Sequence, residues 1–541
     1  MDQMTSSPWP RGRKLVHLDL KGAPPRPEYI YRLVELLSQL GADGLLMEYE
    51  DMFPYEGVLQ LLQTTVQPAY SRQEVLSMQE FAKSRGMEVI PLVQTFGHME
   101  FVLKHRSMWH LREVPHCVGT LNPHKQEGVE LVLEMLRQVV ALHPGLRTIH
   151  MGADEVYLLG EGEESKLWLA SSGHTVEELF LSHVTKVAKA IKEMCPHLTI
   201  IMWDDMMRGM SQDTIKASGL VGLVQPMLWD YSPNLDVDKT VSLLEKYCSA
   251  GLSDLWAASS FKGSTSVSTC VTCTQRHLDN HLQWLKVASC LSATINLRGI
   301  AITGWQRYDH LSVLCELMPV ALLALAACLQ TLSDGQFSSE TRRKVTERLG
   351  VSSVEVETME RMSAGDSLFP GRRLAELIVE LNVLLNSDDL RFFNSNMYVR
   401  GWFSPHHQHR KTVNPLICMQ LHSQASGYVQ TLEKKAEAVR KEMLELYHDS
   451  TAQEWTEEHV RPVVAPLQQL TQHIQACVQE MMPFELFDTV KLNSISSESH
   501  QDHVGLLHPQ SRCCGAGTPP PPPPPPPPLR APAACVSAAP P

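Results

Sequence analysis

The chain lacks the features that would commit it to a membrane, a secretory route or a polyanion. No apolar stretch reaches the ~18 residues that a membrane-spanning helix needs, and the nearest approach, 317–329, fits a buried helix better. The opening MDQMTSSPWPRGRK has no apolar h-region, so no secretory leader is expected. Positive charge is in deficit. Lys and Arg number 47 against 60 Asp and Glu, a formal charge of −13, which is the reverse of the balance on nucleic-acid-binding surfaces. Neither nucleic acid nor membrane is an expected partner. The 13 cysteines are scattered without a framework. An odd count in a long chain points to reduced thiols, and so to cytoplasm and nucleus.

A Gly-rich phosphate-binding first turn is also missing. The first strand candidate runs into Lys21-Gly22-Ala23-Pro24-Pro25, which argues against a doubly wound open sheet. What is present is a series of eight short apolar runs: 15–20 (LVHLDL), 44–49 (GLLMEY), 88–94 (EVIPLVQ), 148–152 (TIHMG), 198–203 (LTIIMW), 221–229 (VGLVQPMLW), 255–261 (LWAASSF) and 299–305 (GIAITGW). Near-continuous apolar character suits parallel strands buried on both faces. Helical patterns lie between them. Ser71 with Glu74 and Thr175 with Glu178 form capping boxes, and Asn122-Pro123 has the form of a helix start. Eight βα units over roughly 300 residues predict an α/β fold, a (β/α)8 TIM barrel.

The expected organisation is a disordered N-terminus over 1–11, a barrel over 12–330, a helical C-terminal region over 331–492, and a disordered proline-rich tail over 493–541. Within the helical region, 391–403 (RFFNSNMYVRGWF) is aromatic-rich and is expected to pack against the barrel or a second subunit of a homodimer. The unbroken run from Pro519 to Pro528 should form polyproline II, a form that SH3 and WW domains bind, and a passive tail is the favoured expectation for it.

Active sites of such barrels lie where strands end. The fourth run ends in His150-Met151-Gly152-Ala153-Asp154-Glu155-Val156. Alternation places His150, Gly152 and Asp154 on one face, and Glu155 falls where the strand gives way to a loop. Adjacent carboxyls push their pKa values apart, so one can stay an acid while the other stays an anion. Asp-Glu pairs are common on solvated surfaces, but those rarely follow a buried strand. Trp203, Trp229 and Trp305 end the fifth, sixth and eighth runs, with Asp204-Asp205, Asp230-Tyr231 and Arg307-Tyr308-Asp309 beside them. One such tryptophan is ordinarily core. Three at equivalent positions suggest walls for the apolar faces of a sugar.

The strand-four segment resembles the signature of family 20 glycoside hydrolases, the β-hexosaminidases. Gly97-His98, Trp203-Asp204-Asp205 and Gly304-Trp305 resemble that family's strand-three, strand-five and strand-eight motifs, and the resemblance spans about residues 12–330. It implies removal of a terminal, β-linked N-acetylgalactosamine or N-acetylglucosamine, with no cofactor and no metal. The reaction would be retaining and substrate-assisted: the 2-acetamido oxygen attacks C1 and forms an oxazolinium. Glu155 is then the general acid and base, and Asp154 holds the acetamido group. Trp203, Trp229, Tyr231, Trp305, His98, Asp19 and Lys21 are the expected substrate-binding residues, with His98 behind the site as a polar support. Three positions depart from the family pattern. Lys21 stands nearest to where an Arg is usual, Gln94 stands for an acid, and Phe261 stands for a tyrosine whose place Tyr231 or Tyr308 would take. These departures keep two other readings open: a sugar-binding barrel without turnover, and a scaffold or adaptor that uses the proline tail. Cys270-x-x-Cys273 with His277 and His281 has the residue types of a zinc site, but its spacing is too short for the usual finger.

Overall fold

The computed structural model describes Trp9 and residues 12–354, 369–394 and 397–481. The apolar runs do form a closed, all-parallel barrel in chain order. Its strands are β1 (Arg13–Asp19), β2 (Gly44–Glu48), β3 (Glu88–Leu92), β4 (Thr148–His150), β5 (Thr199–Trp203), β6 (Val224–Trp229), β7 (Asp254–Lys262) and β8 (Asn296–Gly304). Closure runs from Arg13 opposite Gly299 to Val16 opposite Ile302. Inward side chains fill the barrel with Leu15, Leu46, Ile90, Ile201, Met227, Trp256 and Ala301, and Trp229 and Trp305 pack partly buried on top.

β4 is the shortest strand, and Leu92 opposite His150 is its one pair with β3. The chain leaves the strand early because Gly152 and Ala153 both take positive φ, 64° and 69°. That departure breaks the alternation expected for His150, Gly152 and Asp154. His150 turns into the interior, where its Nδ1 accepts the Gly152 N–H at 3.0 Å.

Both expected capping boxes are present, on helices Arg72–Ser84 and Val176–Met194. Asn122 does not cap a helix. Its Oδ1 instead accepts the His124 N–H at 2.9 Å in a local turn, and the helix begins later, at Gln126. The apolar stretch from 317 lies in helix Met318–Asp334 and is buried nearly all round, as an all-apolar helix must be. Among the described residues no helix is long and apolar enough to cross a membrane.

Helix Met318–Asp334 also runs through the 330/331 boundary. The barrel and the helices that follow, through Met481, form one compact unit. The helical region is tied to the mouth of the barrel. Arg26, in the loop after β1, donates from Nε to the carbonyls of Leu444 (3.1 Å) and Tyr447 (3.0 Å), and Arg307, after β8, pairs with Glu454. The aromatic stretch near 391–403 packs within this region, with Phe393 against Tyr428 of helix Pro415–Leu444 at 5.8 Å. Trp9 is buried, and its N–H donates to the Leu332 carbonyl at 2.8 Å, so the segment assigned to disorder contains one anchored indole. The rest of 1–11, all of 493–541, Cys513-Cys514 and the Pro519 to Pro528 run lie outside the described residues.

Candidate active site

The strand ends surround an open cavity of about 190 Å³ lined by Lys21, Gln94, His98, Asp154, Glu155, Trp229, Tyr231, Gly263, Ser264, Trp305 and Tyr308. Each comes from the end of a strand or the loop after it. The loop after β4 carries the two carboxyls on a distorted backbone, with positive φ at Gly152, Ala153, Glu155 and Leu158 and again at His98 across the gap. Such conformations persist only where the surroundings enforce them, and here two close approaches do so. A Cβ on Gly97 would meet the Asp154 carbonyl at 1.9 Å, and one on Gly152 would meet the Gln94 amide oxygen at 2.1 Å. Gln94 fills that gap. It accepts the Ala153 N–H (3.3 Å) and donates to Asp154 Oδ1 (3.1 Å). An ionised acid at position 94 could not donate to Asp154.

His98 stands between the carboxyls, with Nε2 3.1 Å from Glu155 Oε2 and 3.5 Å from Asp154 Oδ2. It therefore lies in the site and not behind it. Burial works against its charged form, but Asp154, Glu155 and Glu100 outweigh that cost and raise its pKa to about 10. The two carboxyls diverge as adjacent acids should, in a definite direction. Burial raises Asp154, with Glu155 adding to the rise and His98 opposing it. Burial also pushes Glu155 up, but His98 and Tyr157 more than offset this and leave it below the ordinary value. Asp154 is deep in the cavity, with 9% of its side chain exposed, and Glu155 is at the rim with 36%. Asp205, after β5, accepts the Glu155 N–H (2.9 Å) and the Trp229 indole N–H (3.3 Å). Burial and Asp154 raise the Asp205 pKa to about 7.

The other wall is an ion network that meets the carboxyls through Gln94, whose Nε2 also donates to Glu48 Oε1 at 3.5 Å. Lys21 Nζ donates to Asp19 Oδ2 at 2.9 Å and lies 3.8 Å from Glu48 Oε1. Burial pulls the ammonium down, but Asp19, Glu48 and Glu50 raise it well above its ordinary value. Burial would raise Glu48, yet Lys21 and His17 hold it at about 2. The ammonium also lies 5.1 Å from the Trp305 ring centroid. Trp229 and Tyr231 stack at 5.4 Å, and Tyr231 is 6.5 Å from Trp305. Together these rings give the cavity an aromatic side.

The profile of the glycosyl hydrolase family 20 catalytic domain matches residues 34–230. Human (Homo sapiens) hexosaminidase D is 46% identical over 473 residues, covering 87% of this chain and 96% of that protein. Bovine (Bos taurus) hexosaminidase D is 51% identical over 348 residues, covering 64% of this chain and 100% of that protein. This chain belongs to glycosyl hydrolase family 20. It is a glycoside hydrolase of the β-N-acetylhexosaminidase family. The solved β-N-acetylhexosaminidase of Bacteroides fragilis aligns at 14% identity with a TM-score of 0.45, over 61% of this chain and 67% of that one.

For this family 20 chain, seven of the nine expected site residues line the cavity: Asp154, Glu155, His98, Lys21, Trp229, Tyr231 and Trp305. Two do not. Trp203 ends β5 with its side chain turned inward and fully buried, 4.5 Å from His150 and 6.0 Å from Trp305. It is the floor beneath the cavity and not a wall. Asp19 is buried as the partner of Lys21 and of the Gln306 N–H (2.7 Å), so it acts through Lys21. Phe261 is fully buried and packs where Gly304 has no Cβ, whose ideal position would be 2.4 Å from the ring. Tyr231 and Tyr308 are the tyrosines at the cavity.

Asp205, Glu48 and the Gly263-Ser264 turn escaped the sequence reading as site residues. Glu48 carried a usable signal, a lone acid at the end of an otherwise apolar strand. Asp204, beside Asp205, is structural: it is fully buried between Arg208 (2.7 and 2.9 Å) and the Tyr247 hydroxyl (3.0 Å). The Cys270 to His281 cluster divides among packing contacts. His281 Nε2 pairs with the Ser259 hydroxyl (2.9 Å), His277 Nδ1 with that of Ser260 (3.3 Å), and Cys270 Sγ with Asn382 Oδ1 (3.3 Å).

Proposed function

We propose that the chain is an exo-β-N-acetylhexosaminidase that removes a terminal, non-reducing N-acetylgalactosamine or N-acetylglucosamine by retaining, substrate-assisted hydrolysis. The observation that carries this reading is that one His98 nitrogen reaches both carboxyls, at 3.1 and 3.5 Å. They therefore occupy one wall, and the wall opposite presents the Lys21 ammonium. A retaining enzyme with its own nucleophile places two carboxyls on either side of the scissile bond, ~5–5.5 Å apart. Here the opposite face of the sugar has no carboxylate among the lining residues to attack C1. The substrate's own acetamido oxygen fills that role, closing on C1 as the leaving oxygen departs with a proton from Glu155. The same carboxylate then takes a proton from the water that opens the oxazolinium.

In the free site the proton affinities run opposite to what this reaction needs, and the substrate reverses them. An acetamido N–H donated to Asp154 favours its anion. A leaving group placed over Glu155 strips water from a carboxyl that is 36% exposed, which favours the protonated acid. Lys21 serves the sugar hydroxyls as a point charge, without the planar fork of an arginine. The ten cysteines among the described residues are all free thiols, which supports the cytoplasm and nucleus as the working compartments. Imaging of the tagged full chain tests that assignment.

The function is tested with paired nitrophenyl N-acetyl-β-galactosaminide and N-acetyl-β-glucosaminide substrates, together with a thiazoline that imitates the bicyclic intermediate. Turnover of at least one substrate is expected, with inhibition by the thiazoline far stronger than by the free sugar. Binding of the sugars without turnover would support the sugar-binding reading instead.

A further inference from the structure

The mechanism leaves two exposed aromatics near the rim unused, Tyr308 and Tyr157, and the second stands beside Glu155 in the chain. Tyr157 is two residues beyond Glu155 and 58% exposed, and its neighbour Leu158 is 44% exposed. Large apolar groups in the open are ordinary when their backbone is loose, but this backbone is held on every side. The Tyr157 N–H donates to the Glu155 carbonyl (2.8 Å), and its own carbonyl accepts the Thr120 hydroxyl (2.7 Å). The next turn is pinned by buried Glu113, whose Oε1 accepts the N–H groups of Gly160 and Gly162, each at 3.0 Å. A fixed frame thus presents a ring that the described residues leave largely uncovered.

Its place relative to Glu155 gives the ring a use. Tyr157 is not among the residues that line the cavity, and it follows Glu155, whose carboxyl is at the rim. Burial, with Glu155, Asp205 and Asp154 adding to it, raises the pKa of the phenol, so it stays neutral. If Glu155 protonates the leaving oxygen, whatever is attached to that oxygen must extend across this rim. An aromatic ring with a flanking leucine offers an apolar surface of the kind that takes the carbon-bound face of a pyranose.

We infer that Tyr157 and Leu158 form a leaving-group subsite for the penultimate sugar of a β-linked glycan. The inference rests on the assignment of Glu155 as the general acid. The groups that face Glu155 are His98 from the loop after β3, Asp154 and Tyr157 from its own loop, and Asp205 from the loop after β5. Of these, Asp205 and Tyr157 do not line the cavity, and Tyr157 is the exposed one.

The test compares wild type, Y157A and Y157F on two substrates of whichever sugar configuration the wild type cleaves faster. One is a β-linked disaccharide and the other is the methyl β-glycoside, which offers almost nothing to stack. Y157A is expected to raise KM for the disaccharide about tenfold and to leave KM for the methyl glycoside within about twofold. Y157F should keep the disaccharide KM, because the ring remains. Equal KM changes on the two substrates, or none, overturn the subsite, as does a Y157F disaccharide KM that rises as far as that of Y157A. These failures are separable from failure of the general-acid assignment, which would show in the wild type itself as a kcat/KM profile without an alkaline limb. Thermal unfolding of both variants near wild type is expected for a side chain this exposed, and a collapse of Tm would also count against the subsite.

Discussion

The two walls of the cavity use charge in opposite ways. On the side of β1, β2 and β8, Lys21 is enclosed by Asp19, Glu48 and Glu50, every group is buried, and Glu48 is held ionised down to a pH of about 2. On the side of β3, β4 and β5, a single imidazolium faces Asp154, Glu155 and Glu100, with Asp205 behind them and a raised carboxyl at each buried position. Of the first wall's ion set only Lys21 faces the cavity, and its acids, including a Glu50 that burial and its acid neighbours raise well above the ordinary range, lie out of a ligand's reach. The second presents His98, Asp154 and Glu155 to the cavity itself, so a ligand that adds a donor or removes water redistributes its protons. Positive φ is concentrated on the second wall, in the run after β4 and at His98, and Glu50 on the first wall also takes it, at 46°. The contrast teaches that catalytic readiness here resides in the charges a ligand can reach, and that the enclosed set supplies the fixed surface against which the sugar is placed.

The largest effect expected from this contrast is at Glu155. E155Q should lose about 10²–10⁴-fold in kcat on substrates with poor leaving groups, the span usual for a general acid. It should lose much less on nitrophenyl glycosides, which depart with little acid help. Equal losses on both classes would remove Glu155 from the acid role and erase the distinction between the walls.

Next comes Lys21. In K21M the carboxylates Asp19 and Glu48 are left buried without their cation, an arrangement that costs about 3–5 kcal/mol when one partner of a buried pair is removed. Urea unfolding should show that loss. Whatever folds should have a KM raised about tenfold or more, with kcat retained to within about tenfold, because a holding wall binds ground and transition states alike. A kcat loss as deep as that of E155Q would place Lys21 in the chemistry.

The pH dependence of stability comes from a third set of groups, buried neutral histidines. Burial lowers His150 and His277 to about 3 and His143, His183, His281 and His310 to about 4. Unfolded, each binds a proton below about pH 6.5, so its contribution is complete above that value and is lost as pH falls toward the folded value. Each withholds about 1 kcal/mol at pH 5.5, so Tm should drop steeply between pH 7 and 5. A flat Tm over that range would mean that these imidazoles are charged or solvated. His98 is the contrast within the same residue type. Its raised pKa, about 10, means that its contribution is complete below about pH 6.5 and fades only as pH rises through about 10.

The smallest expected effect separates free enzyme from complex. The alkaline limb of kcat reports Glu155 with substrate bound, and that of kcat/KM reports it free. The first should lie above the second, by a margin that reflects the water displaced from Glu155. Coincident limbs would show that the substrate leaves the proton affinities of this wall unchanged.

Much of this arrangement was legible in the chain, and the rest was hidden for identifiable reasons. The barrel could be read because strands buried on both faces leave apolar runs that no other element imitates at that length and spacing. Asp154 and Glu155 could be read because the mouth of a barrel is where strands stop. The facing of each side chain was harder. Trp203 and Trp229 both end strands, yet Trp203 turns into the core and Trp229 to the cavity, because strand tilt sets the height at which each strand meets the mouth. Gln94 looked like a missing acid until the fold placed Gly152 against it and showed an amide using both its acceptor and its donor. The strained turn after β4 left only its glycine as a trace, since Ala153, Glu155 and Leu158 are not residues that announce positive φ. The start of helix Gln126–Ala141 was misplaced because Asn122 satisfies a local turn as readily as a helix.

The central claim is that the acetamido oxygen of the substrate, and not a carboxylate of the chain, attacks C1. It is tested most directly by measuring kcat/KM for nitrophenyl glycosides whose 2-acetamido group carries none, one, two or three fluorines. Fluorine withdraws electron density from the amide oxygen and scarcely alters its size. If that oxygen is the nucleophile, the rate should fall steeply and progressively with each fluorine, and no glycosyl ester should be found on Asp154 or Glu155 by mass spectrometry during turnover. A rate indifferent to fluorination, together with a covalent adduct on either carboxylate, would contradict the account.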